Sequence, residues 1–71
     1  MQGFVVHYRP DKGFGFIRCD QLPRDAFFHI NYVTGSTVPE VGDQVEFSIS
    51  QDRDGRPRAY DIDIVVGPVR S

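Results

Sequence analysis

Lys12-Gly13-Phe14-Gly15-Phe16-Ile17 sets two phenyl rings two residues apart, with glycine before and between them and a lysine at the head. Side chains alternate across a strand, so Phe14 and Phe16 share one face and Ile17 takes the other. The glycines leave the rings open to an approaching partner, and Lys12 adds a positive charge at their edge. Flat, exposed rings beside a cation are a surface on which unpaired bases stack. Ten residues on, Asp25-Ala26-Phe27-Phe28-His29-Ile30 repeats the spacing with Phe27 and His29, while Phe28 has the opposite parity and is expected in the core.

Outward from this stretch the chain reads as short strands separated by turn residues. Gly3 to Arg9, rich in β-branched and aromatic residues, is a first strand that stops at Arg9-Pro10-Asp11-Lys12-Gly13. Phe14 to Arg18 is a second, closed by Asp20-Gln21-Leu22-Pro23-Arg24-Asp25, and Ala26 to Ile30 a third. An irregular connection is expected from Asn31 to Gly42, broken by Gly35, Ser36, Thr37 and Pro39. In Gln44 to Ser50, Val45, Phe47 and Ile49 alternate strictly with polar residues, which predicts a strand with one wet face. After a turn at Asp52-Arg53-Asp54-Gly55, a fifth strand is expected from Arg58 to Val66, with Tyr60, Ile62 and Ile64 on one side and Asp61 and Asp63 on the other. Residues 67–71 are expected to form a tail that leaves the sheet. No repeat and no helical period is visible.

Seventy-one residues make one small domain, which buries only roughly 60% of the surface its unfolded chain exposes, so an enclosed substrate cavity is not expected. The predicted fold is all-β: five short antiparallel strands closed into a Greek-key barrel of the oligonucleotide-binding type, because a flat sheet of this size would leave an apolar face bare. The ligand face of such a barrel lies on strands two and three, where Phe14, Phe16, Phe27 and His29 fall. Hydrophobic content of 39% suits a folded chain, and neither a membrane-length apolar run nor the charged start of a signal peptide is present. A cytoplasmic location is expected. Cys19 is the single cysteine, so neither an internal disulfide nor a thiolate zinc cluster is available, and it is expected to be inert.

A net charge of −2 and a pI near 5.5 argue against a protein that grips duplex phosphates through a basic surface. The placement of the charges softens this: Asp43, Glu46, Asp52, Asp54, Asp61 and Asp63 lie in the second half, whereas Arg9, Lys12 and Arg18 flank the aromatic segments. The candidate binding residues are Lys12, Phe14, Phe16, Phe27, His29, His7, Tyr8, Arg9 and Arg58. His7 and Tyr8 could instead simply fill strand one, and Arg58 is the only candidate from the second half. Catalysis is not expected, since no nucleophile motif, no carboxylate pair with a pocket and no phosphate-cradling glycine loop is found. No cofactor, metal or small-molecule substrate is expected, and no membrane contact by this chain.

From Met1 to about Val66 the chain resembles the bacterial cold-shock domain. Met1-Gln2-Gly3-Phe4-Val5 is similar to that family's opening strand, and Lys12 to Ile17 matches its first ribonucleoprotein motif residue for residue. Ala26-Phe27-Phe28-His29-Ile30 is close to its second, usually Val-Phe-Val-His-Phe. Gly42, Val45, Phe47, Pro57 and Ala59 also fall where the family has them. The resemblance implies binding of single-stranded RNA or DNA without strong sequence preference, and a role in melting or chaperoning RNA structure. The chain departs from the pattern where the family usually has Lys-Trp-Phe-Asn: here stand Val6-His7-Tyr8-Arg9, and Ile30 replaces a further ring. A stacked base is worth roughly 1 to 3 kcal/mol, so weaker binding is expected unless Tyr8, Arg9 or Arg58 compensates. More loosely, residues 42–59 resemble divergent cold-shock domains at the N-terminus of longer bacterial proteins with membrane-spanning tails. A module of a larger protein, or a barrel turned to protein contacts, are the alternative readings.

Overall fold

The computed structural model describes residues 1–35, 38–51 and 53–65. Five strands form a closed barrel in the order β1-β2-β3-β5-β4, with β1 at Gln2–Arg9, β2 at Phe14–Arg18, β3 at Ala26–His29, β4 at Gln44–Gln51 and β5 at Pro57–Ile64. Four seams are antiparallel, and β3 meets β5 in parallel at the pair Phe27↔Arg58. Strand directions cannot alternate all the way round a ring with an odd number of members. An antiparallel five-stranded barrel therefore must hold one parallel seam, a refinement of the expected all-antiparallel arrangement.

The wall is tied where strands change partners. Gln2 to Phe4 of β1 pair with Glu46 to Gln44 of β4, and its later residues run against β2. Between Val5 and His7 the register shifts, so that Val5 faces Ile17 and His7 faces Phe16 across the seam, with Val6 as the additional residue. Such a bulge resets the in-and-out alternation. Val5 is buried, and on the far side of the bulge His7 is exposed while Tyr8 turns inward. The β1–β2 turn closes with the Lys12 and Gly13 N–H groups donating to the Arg9 carbonyl at 3.1 and 2.7 Å, and Gly13 takes a φ of 74° that a residue with a Cβ rarely adopts.

The interior is filled by Val5, Ile17, Cys19, Ala26, Phe28, Val33, Val45, Phe47, Ala59 and Ile62. Phe28 is the largest wholly buried side chain, and its ring explains Gly15. A Cβ on Gly15 would lie 2.3 Å from the His7 carbonyl oxygen and 2.8 Å from Phe28 Cε1. The glycine therefore serves the packed side of the wall; the openness of the outer rings does not come from it.

Three expectations about the strands are corrected. Ile30 does not extend β3 but opens a single 3₁₀ turn, Ile30–Tyr32, in a chain expected to have no helical segment. The cause is local: His29 Nδ1 accepts the Asn31 N–H at 3.1 Å and caps the turn. Tyr60, predicted to share a side of the strand with Ile62, is exposed whereas Ile62 is buried. Asp61 lies between them in the left-handed region, at φ 51°, and the β4 partner register shifts at the same place, so one strand carries two parities. The start of the connection expected to be irregular is tied to β5, because Val33 bridges Ile62 and the Thr34 N–H donates to the Ile62 carbonyl at 2.7 Å. Val66 and the expected tail, 67–71, lie outside the described residues.

Candidate functional site

The outer faces of β1, β2 and β3 hold a contiguous aromatic cluster. β-pairing places Phe14 opposite His29 and Phe16 opposite Phe27, while His7 stands beside Phe16 across the other seam. Phe14 stacks on Phe27 with ring centroids 5.7 Å apart and 27° between planes. Phe16 meets Phe14 and Phe27 edge-on, at 6.2 and 5.8 Å, and His7 lies tilted at 6.0 Å from Phe16. Offset-stacked and edge-to-face pairs are the geometries that the ring quadrupole favours. The three phenyl groups shield one another and are half-buried, so the platform is a built surface of interlocked rings.

His29 is also half-buried, and its cap bond requires that Nδ1 carry a lone pair. The neutral ring then bears its proton on Nε2, leaving one donor for a partner. Lys12 is exposed at the turn between β1 and β2, at the Phe14 end.

Arg58 reaches the platform from β5, its guanidinium carbon 5.3 Å from the centre of the Phe27 ring. This is a cation–π contact, and it makes Phe27 the meeting point of rings and charge. Phe14, Phe16, Phe27, Arg58, Arg24 and Arg56 line an open groove of about 550 Å³, which Asp25 and Pro57 complete. Arg24 and Arg56 went unnoticed in the sequence. Arg56 stands two residues before Arg58, just ahead of β5, a spacing that could have found it; Arg24 lies in a turn and gave no signal.

Two expected members stand apart. Tyr8 is on the opposite side of the wall from the platform, half-buried and stacked on Phe28 at 6.1 Å and 7°, because the Val6 bulge assigns outward to His7 and inward to its neighbour. Arg9 is exposed but holds Asp11 at 3.3 Å, and these hydrogen bonds keep the Asp11 carboxyl below its ordinary range. Arg18, counted among the flanking charges, is likewise paired, with Asp25 at 3.2 Å. Exposed pairs of this kind contribute little and open readily. Ile30, at a position where a ring was missed, packs against the core.

Among the described residues no group of three or more His, Cys, Asp or Glu side chains could hold a metal ion, and no helix is long and apolar enough to cross a membrane.

Comparison with known proteins agrees on one family. A family model described as the 'Cold-shock' DNA-binding domain matches residues 1–65. The chain is 37% identical over 57 residues to the cold shock-like protein CspG of Escherichia coli K12, a match covering 78% of this chain and 81% of that protein. It is 38% identical over 65 residues to the cold shock-like protein CspB of Yersinia pestis, covering 87% and 90% respectively. Among solved structures, drosophila Unr CSD456 superposes with a TM-score of 0.78 at 30% identity, over 99% of this chain and 28% of that one.

Proposed function

The chain belongs to the cold-shock domain family, whose members are generally nucleic-acid binding, and we propose that it binds single-stranded RNA or DNA with low sequence specificity, its bases stacked on Phe14, Phe16, Phe27 and His7. The observation that carries this reading is the interlocked ring cluster on the outside of β1–β3, bordered by Arg58 and a groove with two further arginines. Stacking accepts any base, since every base has a π-face, which accounts for low specificity. Lys12, Arg24 and Arg58 meet the phosphates, and His29 offers its Nε2–H to a base edge. In the cell such binding would keep RNA single-stranded and act on its structure without catalysis. The cytoplasm is the compartment where that ligand is met.

A titration with a short pyrimidine-rich strand, followed by backbone amide shifts, tests the reading. The expected result is a shift map centred on β1–β3 and far weaker binding of the matching duplex, whose base faces are hidden. Equal affinity for the two forms would sink the stacking model. Amide signals that stay still with every oligonucleotide would instead favour a barrel used for protein contacts.

A further inference from the structure

Beyond Arg58, the outer surface continues into a second cleft, of about 350 Å³, lined by Tyr32, Ser50, Arg58, Ala59, Tyr60 and Asp61. Both tyrosines present large surfaces to solvent, 51% exposed for Tyr32 and 39% for Tyr60. Neither position follows from the strand pattern. Tyr60 points outward because the left-handed Asp61 separates its parity from that of Ile62. Tyr32 is held beside β5 by the Val33↔Ile62 bridge and by two hydrogen bonds from Thr34, N–H and hydroxyl, to the Ile62 carbonyl at 2.7 and 3.1 Å.

We propose that the Tyr32–Tyr60 cleft is an additional base-stacking subsite, occupied by an unpaired base of the same strand after it crosses Arg58. The proposal rests on the single-strand reading above and extends its path. Arg58 lines both grooves, so a strand leaving Phe27 meets this guanidinium and then the tyrosines without a break in the surface. The chemistry selects a base over a phosphate. Asp61 in the lining repels an anion, whereas its carboxylate and the Ser50 hydroxyl can accept from the N–H groups of a base, and two phenol rings supply the stacking faces. Ile30 packs inward and gives no ring near the end of β3; Tyr32, two residues on, returns one to the surface.

The test is a length series of oligo-dT measured against the intact chain and against a Tyr32→Ala/Tyr60→Ala variant. Loss of a stacked base costs about 1–3 kcal/mol, which is roughly 5- to 150-fold in affinity. Wild type should gain a step of that size once the strand is long enough to pass Arg58, and the variant should lack the step while binding the shortest oligomers as wild type does. A Tyr32→Phe/Tyr60→Phe variant, which keeps both rings, should restore it. Thermal melting of all three separates a binding defect from a folding one. A variant that keeps the step, or that loses affinity equally at every length, overturns the subsite and leaves the platform standing. Failure of wild type to bind any length removes both. Tyrosine emission adds a direct readout: the chain has three tyrosines and no tryptophan, and long but not short oligomers should quench it.

Discussion

Phe27 and Phe28 are neighbours of the same type on one four-residue strand, yet they belong to different regions of the molecule. Phe28 is 1% exposed, stacked under Tyr8 and pressed against the Cβ-less Gly15. Phe27 lies on the other side, half-covered by Phe14 and Phe16 and capped by Arg58. The inner region is closed by packing, and any change of volume there is felt by the whole barrel. The outer region has its rings packed against one another but leaves them half-exposed. Hydrophobicity alone does not separate the two; strand parity does, and the bulge at Val6 and the left-handed Asp61 decide where parity is reset.

The comparison breaks most readily at Phe28. Phe28→Ala should cost about 3–5 kcal/mol of stability, the ordinary loss for a buried phenylalanine, and lower the midpoint of denaturant unfolding accordingly. Gly15→Ala, aimed at the same contact from the other strand, should cost about 1–3 kcal/mol by overpacking. Phe27→Ala and Phe16→Ala should instead leave the domain folded, with a smaller loss of stability than Phe28→Ala, and weaken oligonucleotide binding by about 1–3 kcal/mol each in a fluorescence or calorimetric titration. If Phe27→Ala unfolds the domain, the division into two regions fails.

Smaller effects sharpen the outer region. His7→Trp enlarges the ring beside Phe16 and should tighten binding by about 0.5–1.5 kcal/mol; an unchanged affinity would place His7 outside the footprint. Salt tests the balance of forces there. Arg9 and Arg18 must leave Asp11 and Asp25 to reach a phosphate, so the first contacts fall to Lys12, Arg24 and Arg58. Two or three contacts on a single strand imply a slope of log K against log salt of about −1.4 to −2.1. A much steeper slope would show that the backbone, rather than the rings, supplies the affinity.

Much of this was legible in the residues. Val45, Phe47 and Ile49 of β4 alternate with polar neighbours, and a period of two survives translation into structure because each strand residue takes the next face in turn. The same rule located Phe14, Phe16 and Phe27 on one side and Phe28 on the other. It failed where a single backbone conformation interrupts the count. Tyr8 could be read as a platform ring or as filling for strand one, and Tyr60 was set on the side of Ile62; Val6 and Asp61 decide the two, and no side-chain pattern announces their conformation. Charge was legible as composition but not as pairing: Arg9 and Arg18 stand near the rings, yet Asp11, in the same turn, and Asp25, across the β2–β3 connection, hold them. Arg24 and Arg56 face one groove only because barrel closure brings β5 against β3.

That closure has a consequence for how the domain matures. β1, β2 and β3 follow one another along the chain and can meet as a local meander, whereas Phe27 and Arg58 are joined only after all of β4 has been threaded between them. Contacts so distant in sequence carry a larger loop-closure entropy than those of the meander. A partly folded chain can thus expose every ring of the platform and still lack its guanidinium, and with it both grooves that Arg58 joins. The complete surface exists only once β5 has joined β3, so capture of a strand reports that seam and not the local meander alone.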